Sequence, residues 1–362
     1  MSPSANATIG IGIVGTGGIA HAHAMGCKAN PHVKVVALAE IRDGVAEAYA
    51  ERHGFDARIF TDYRDLIAMD GVDAVTVCTP NNVHAPVSIA AIEAGKHVLS
   101  EKPMASTLAD AEAMVAASEK ADVRTMVGFT KRFFRGNRFL HDLLRSEDLG
   151  RIYHVRACYF QSWLSNPSAP MAWRLRKEET GTGVLGDLGS HVTDLAQYIV
   201  GDPISRVTGM LKTFTTQRPM LADTNELGTV DVDDAAVFCV EFENGAMGVI
   251  EASRNATGHP DFWRLEINGE KGAVIYDNVE GKVLLSTLTG PARRGGWITL
   301  PVPARYGTPG TEFAAEVSHF VDCIRSGDTP SPTFAEGLRT ERVMDAVVRS
   351  AESGRAVDVQ AV

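Results

Sequence analysis

The sequence predicts an α/β protein with a doubly wound parallel sheet first and a second domain on a largely antiparallel sheet. Three observations carry that expectation. Up to about residue 130, short apolar runs alternate with helix-length segments, the pattern of a parallel sheet. The first of those runs ends in a glycine-rich turn that opens a helix. Beyond residue 150, strands of alternating character are separated by hairpin turns, which favour antiparallel pairing. The 362 residues suit two domains, expected at 1–130 and 131–362, with the last helices free to pack back on the first.

The opening strand is Thr8 to Val14, an apolar run rich in β-branched residues. It runs into Gly15-Thr16-Gly17-Gly18-Ile19-Ala20, a G-x-G-x-x-A turn suited to a pyrophosphate. Gly15 permits the tight turn, Gly17 lets phosphate oxygens approach the backbone, and Ala20 lets the helix pack close to its strand. The free N–H groups at the helix start, at Gly17, Gly18 and Ile19, would face the anion. A second strand, His32 to Glu40, ends in an acid placed to accept hydrogen bonds from the adenosine ribose. A carboxylate at Glu40 repels a 2′-phosphate, which favours NAD over NADP. Arg42 pulls the other way, since a guanidinium can hold that phosphate.

A helix is expected over Asp43–His53, a third strand over Asp73–Cys78 and a helix over Ala85–Ala94, ended by Gly95. A fourth strand follows at His97–Ser100, a helix at Leu108–Ala121 and a fifth strand at Arg124–Phe129. Ligands of such sheets lie beyond the carboxyl ends of the strands. Two of those ends carry unusual chemistry. After the third strand come Thr79-Pro80-Asn81 and His84, a stiff turn with hydrogen-bonding side chains. After the fourth comes Glu101-Lys102-Pro103, which would place Lys102 near a nicotinamide.

In the second half, Arg151–Trp163, Ile204–Phe214, Ala235–Glu243 and Ala246–Ser253 read as strands, with Asn244-Gly245 expected in a type I′ turn. Asn268-Gly269 and Lys271-Gly272 mark further turns. Helices are expected near Glu312–Arg325 and Phe334–Ser353. Between the first two strands, the glycine-rich Gly181–Gly189 becomes amphipathic. Asp187 and His191 stand four apart, one turn apart on a helix. An Asp beside a His raises the basicity of the ring, as a general base for an alcohol proton requires. A capping Asp and a core His would look the same, and Asp194, one turn on, reads as structural or surface.

Composition narrows the class. With 44% hydrophobic and 22% charged residues, the chain has an ordinary globular balance. No apolar run is long enough to span a membrane, and Met1–Thr8 lacks the features of a secretory signal, so a cytoplasmic protein is expected. The net charge of −10 argues against nucleic acid. The five cysteines lie in no C-x-x-C and read as small buried hydrophobes in a reducing compartment. No Cys/His cluster has metal-ligand spacing.

Four stretches together are identified with a known family. They are Gly12–Ala20, Thr79-Pro80-Asn81 with His84, Glu101-Lys102-Pro103, and Gly186-Asp187-Leu188-Gly189-Ser190-His191. The chain resembles the glucose–fructose oxidoreductase / inositol dehydrogenase / MocA (Gfo/Idh/MocA) family. The resemblance implies a Rossmann domain followed by an α/β domain with a large open sheet. It implies a catalytic Lys-Asp-His set at Lys102, Asp187 and His191, and a homodimer or homotetramer formed through the open sheet face. Trp173-Arg174, Asp233-Asp234 and Glu251–Gly258 resemble a sugar dehydrogenase subgroup, whose members act on pyranosides, anhydrosugars or inositols. Glu40 departs from the more usual aspartate.

The expected activity is NAD-dependent oxidation of a secondary hydroxyl, C3 for a pyranose, with His191 as base and Lys102 on the reacting oxygen. Tyr159, Trp163, Trp173 and Arg174 are expected in the sugar pocket, because aromatic faces suit the C–H surfaces of pyranoses. Two other readings are an NAD-recycling glycosidase or C-glycoside-processing enzyme that oxidises C3 before elimination, and a non-catalytic nucleotide sensor.

Overall fold

The computed structural model describes residues 8–146, 149–221, 226–288 and 296–359. They form two compact units, one made of the described residues up to Phe133 with Pro309–Leu338, the other of Phe134–Thr308 and the described residues from Arg339 onward. No helix among the described residues is long and apolar enough to cross a membrane.

The first unit is built from β1 (Ile9–Val14), α1 (Ala20–Ala29), β2 (Val33–Ala39), α2 (Val45–His53), β3 (Arg58–Phe60) and α3 (Tyr63–Ala68). It continues with β4 (Ala74–Val77), α4 (His84–Glu93), β5 (His97–Ser100), α5 (Leu108–Ser118) and β6 (Thr125–Val127). All strands pair in parallel, in the order β3-β2-β1-β4-β5-β6. The strand β3 and helix α3 are additions to the sequence reading, which left residues 54–72 unassigned. The reason is physical: β3 is a three-residue, half-exposed edge strand, too short to show a period. The fifth expected strand is trimmed to Thr125–Val127, because the Phe129 N–H folds back to the Val127 carbonyl at 2.8 Å.

Both faces of this sheet are covered. Ile9, Ile11 and Ile13 pack with α1 and α2 on one face, while Val14 packs with Leu66 and Val77 on the other. The glycines of β1 serve that second face, since a Cβ on Gly12 would meet the Leu66 side chain at 2.6 Å.

In the second unit α6 (Arg135–Arg145) precedes β7 (Ile152–Phe160), α7 (Lys177–Thr180), α8 (Ser190–Val200) and β8 (Ile204–Lys212). A small hairpin, β9 (Gln217–Pro219) with β10 (Leu227–Thr229), is followed by β11 (Ala235–Phe242), β12 (Met247–Ser253), β13 (Phe262–Gly269) and β14 (Gly272–Asp277). Next come β15 (Val283–Thr287), β16 (Ile298–Leu300), α9 (Glu312–Ser326), α10 (Phe334–Ser353) and β17 (Val357–Asp358). Helix α9 belongs to the first unit, where Gly26 of α1 lets it approach closely: a Cβ there would meet Phe313 O at 2.7 Å.

Nine strands form one sheet, ordered β16-β15-β14-β13-β7-β12-β11-β8-β17. Its pairs are antiparallel except β7 with β12. The inward side chains, such as Val155, Phe238, Ile250 and Leu265, share a core with Leu140, Leu195 and Val347. The opposite face carries exposed Met210, Val237 and Met247.

Three further expectations are corrected here. Strand β7 ends at Phe160 rather than Trp163. The β11–β12 turn is not type I′. Gly245 N–H bonds the Phe242 carbonyl at 2.9 Å, so Glu243 and Asn244 are the central residues. Gly245, at φ 84°, follows them as the left-handed bulge residue of a three-residue loop. The cysteines are not uniformly buried: Cys239 is exposed and Cys158 half-buried, because strand alternation turns both to the uncovered face.

Candidate active site

In the first unit the residues expected to bind a dinucleotide lie at the carboxyl ends of β1, β2, β4 and β5. Gly15 has φ 84° and stands against the end of β4, where a Cβ would meet Cys78 O at 2.7 Å. At Gly17 and Gly18 a Cβ would meet nothing within 4 Å. The backbone there is therefore open to an approaching anion, ahead of a ten-residue helix that no side chain caps at its start. Ile19 holds the N-cap position. These residues fit a pyrophosphate.

Glu40, just beyond β2, is buried and heavily bonded. It accepts from Thr16 N–H at 3.1 Å and Thr16 Oγ1 at 3.0 Å, and from Arg42 Nε and Nη2 at 2.9 Å each. Burial alone would raise its pKa, but the hydrogen bonds from Arg42 and Thr16 outweigh burial and hold it at about 2. Glu40 is thus a fixed anion, and it occupies the guanidinium that sequence reading considered for a 2′-phosphate.

The loops after β4 and β5 are stapled by His84, which is fully buried. Its Nδ1 lies 2.9 Å from Pro103 O and its Nε2 3.0 Å from Thr79 O. Burial draws its pKa below the ordinary histidine value, with the two carbonyls opposing. Thr79, Pro80 and the buried Asn81 form one side of this staple and Glu101-Lys102-Pro103 the other. Glu101 is buried as well. Its Oε1 takes a 2.7 Å hydrogen bond from His23 Nε2 and its Oε2 accepts the Lys102 N–H at 3.1 Å. Burial would raise the Glu101 pKa, yet the His23 hydrogen bond lowers it. His23 was not singled out from sequence, although Ala20, His23, Ala24 and Cys27 mark one buried helical stripe.

The remaining site candidates, Tyr159, Trp163, Trp173, Arg174, Asp187 and His191, lie in the second unit. The chain enters this site through Gly183, whose Cβ would run into the backbone of Asp233. The Asp233 carboxylate accepts the N–H groups of Gly183 and Leu185 at 2.7 Å each, so the turn is pinned from beneath. Leu185–Gly189 is a single π-helical turn, a wider turn than the ordinary helix expected from sequence. Such turns often mark functional sites. Asp187 lies within it and His191 in the first turn of α8.

Asp187 pairs with Arg254, Oδ2 to Nη2 at 3.1 Å. The Tyr159 ring lies 5.9 Å from the His191 ring. Tyr159 is buried, and its hydroxyl donates to Asp261 Oδ1 at 2.8 Å; burial and that neighbouring carboxylate push its pKa well above the usual phenol value. Trp163 is 40% exposed, and the Arg254 guanidinium sits 5.5 Å from its ring centroid. Trp173 and Arg174 open a short 3-10 turn, with the Arg174 guanidinium 4.3 Å over the Trp173 ring.

The loop preceding that turn is held by Arg218, which has no exposed surface and donates to the carbonyls of Leu164, Asn166 and Ala169 at 2.9, 2.8 and 3.4 Å. Asp194, read as structural or surface, is buried. Among the described residues, no three His, Cys, Asp or Glu side chains are grouped to hold a metal.

Comparison with known proteins finds matches over both units. Residues 9–129 match the model of an oxidoreductase family NAD-binding Rossmann fold, and residues 137–275 that of a GFO/IDH/MocA C-terminal domain. A levoglucosan dehydrogenase from Pseudarthrobacter phenanthrenivorans is 33% identical, with 97% of this chain and 98% of the relative covered. Among solved structures, an oxidoreductase domain protein from Kribbella flavida is 38% identical with a TM-score of 0.93, covering 98% of this chain and all of that one. A levoglucosan dehydrogenase in complex with NADH and levoglucosan is 32% identical with a TM-score of 0.92, at 98% and 100% coverage.

Proposed function

Because the chain belongs to the Gfo/Idh/MocA oxidoreductase family, we propose that it oxidises a ring secondary hydroxyl through Lys102, Asp187 and His191. The enzyme class is an NAD(P)-dependent oxidoreductase acting on sugar hydroxyls, and the chain's relatives include levoglucosan and inositol dehydrogenases. Within that class we propose C3 of a pyranose, glycoside or anhydrosugar as the reacting position, with a cyclitol as the nearest other substrate.

The observation that carries the reading is the pinned turn of the second unit. Asp233 fixes Gly183 and Leu185, Arg254 holds Asp187, and His191 follows one turn later against Tyr159. A base so anchored loses little orientation when substrate arrives.

NAD, when bound, supplies the hydride acceptor. His191 takes the hydroxyl proton as the C–H hydride leaves the same carbon, so the alcohol becomes a ketone and one proton remains on the enzyme. The Lys102 ammonium donates a hydrogen bond to the reacting oxygen and offsets its growing negative charge. Asp187 favours the protonated form of the imidazole. Gly15, Gly17, Gly18 and Ile19 hold the pyrophosphate and Glu40 the ribose hydroxyls. Thr79, Pro80, Asn81 and Glu101 shape the nicotinamide side, while His84 supports them from below. Trp163, Trp173 and Arg174 face the sugar, and Tyr159 backs His191. NAD rather than NADP is supported by Glu40, an anion whose neighbouring guanidinium is already engaged.

The test is a panel of levoglucosan, D-glucose, methyl glucosides and myo-inositol with NAD and with NADP, read by nicotinamide absorbance. The proposal expects NADH to accumulate with at least one sugar and the ketone to be recovered. Release of aglycone without net NADH would point instead to the recycling glycosidase. Inertness toward every member would remove the proposal.

A further inference from the structure

Arg254 is one of the largest side chains in the molecule with almost no exposed surface, at 1%. A guanidinium cannot shed its charge at ordinary pH, so burial is tolerable only where anions and carbonyls surround it. Its Nη2 donates to Gly183 O at 2.9 Å and pairs with Asp187 Oδ2 at 3.1 Å. Its Nη1 donates to Arg174 O at 3.2 Å, and its guanidinium carbon lies 5.5 Å from the Trp163 ring centroid. Four chain segments, three of them between Trp163 and Asp187, thus meet on one cation. Each of the other three carries a residue of the proposed sugar face or its base.

We infer that Arg254 is a positioning residue for the oxidation, keeping the Asp187 carboxylate paired and oriented while tying Trp163, Arg174 and Gly183 into one rigid sugar face. The inference rests on the reading that Asp187 and His191 act on the substrate. Asp187 has two duties in that reading: it must stay ionised beside His191, and it must stay put. A buried guanidinium achieves both through one contact, and its rigid fork reaches the two carbonyls at the same time. The other charged groups near this cluster are Asp233, which faces the guanidinium, and Asp261, which takes the Tyr159 hydroxyl. Neither bonds Arg254 directly, so among these anions it is Asp187 that loses an ion pair when the guanidinium is removed.

The test is a double-mutant cycle on the NAD-loaded enzyme, read as NADH formation with the best substrate among levoglucosan, D-glucose and myo-inositol. Arg254→Gln should lower kcat/KM by about thirtyfold in the wild-type background but by under about threefold in an Asp187→Asn background. Arg254→Lys, which keeps a cation but not the fork, should regain most of kcat while KM for the sugar stays raised. Equal losses in the two backgrounds would show a purely structural residue and overturn the inference, as would near-wild-type kinetics of Arg254→Gln. Should Arg254→Gln fail to fold, the same cycle run with Arg254→Lys and read in kcat alone decides: a kcat loss that disappears in Asp187→Asn supports the role, and one that persists refutes it. A wild-type enzyme inert toward all three substrates would instead refute the underlying site reading, and this inference with it.

Discussion

Two buried carboxylates behave in opposite ways, and each makes a prediction. Glu40 is held at about 2 by Arg42 and Thr16. Its folded-state pKa lies below the unfolded value, so its contribution to stability is present above pH 4.5 and is lost as pH falls toward 2. Glu40→Gln should therefore flatten the fall of the urea midpoint across that acid window, and an unchanged slope would contradict the assignment. Glu316 is the reverse case. It has no exposed surface, and Thr130 Oγ1 lies within hydrogen-bonding reach at 3.0 Å from each of its oxygens. Burial, then the nearby Glu101 charge, raises its pKa well above the ordinary value. Stability is then highest below the unfolded pKa and is lost as pH rises through the folded one. Glu316→Gln should remove that loss, so the variant gains on the wild type in alkaline urea titrations. In the proposed function the same Glu40 carboxylate also favours NAD over NADP. Glu40→Ser frees Arg42 and should raise the NADP/NAD ratio of kcat/KM by about tenfold; a ratio that does not move would separate Glu40 from cofactor recognition.

Among the elements of the second unit, the turn before α8 is tightly constrained. Only glycine fits at Gly183, because any Cβ runs into Asp233. Gly183→Ala should cost about 2–3 kcal/mol in urea unfolding, and it should depress kcat more than NAD binding. A stable, fully active variant would show that the turn can shift freely. Parts of this were legible in the sequence and parts were not. The inward positions of β12 are Gly248, Ile250 and Ala252, so the period of two carries on to Arg254 and announces a buried cation at the strand's end. In α1 the 3.6 period likewise points His23 inward. The Gly-rich turn, the acid at Glu40 and the two strand ends at Thr79 and Glu101 were visible because spacing within one β–α unit is local. The π turn was not, since Gly186-Asp187-Leu188-Gly189 has no period that separates a π turn from an α turn. Nor was Arg218, whose three carbonyl partners lie some fifty residues upstream.

For the molecule as a whole, alternating strands and helices gave the parallel sheet, and hairpin signals gave the antiparallel one. Strand β13 alternates cleanly, with Trp263, Leu265 and Ile267 buried, and its period of two was legible, whereas the half-exposed residues of β14 to β16 blur the alternation. The large sheet leaves one face uncovered, with Met210 70%, Met247 59% and Val237 38% exposed. The same face carries Arg156 and Arg264 beside Glu251 and Glu266, charges of both signs that can pair across a two-fold axis. We propose that a second copy of this chain covers it. Met247→Glu should then shift the mass measured by light scattering toward the monomer, whereas an unaltered mass would place any interface elsewhere.

The proposed function has the Lys102 ammonium and the His191 imidazole act together on one sugar carbon. The direct measurement is steady-state NADH formation by Lys102→Met and His191→Ala, alongside NAD affinity by fluorescence titration. The account predicts that kcat/KM for the sugar falls by about 10²–10⁴ in each variant while the Kd for NAD stays within about threefold of wild type. Near-wild-type turnover in either folded variant would contradict it.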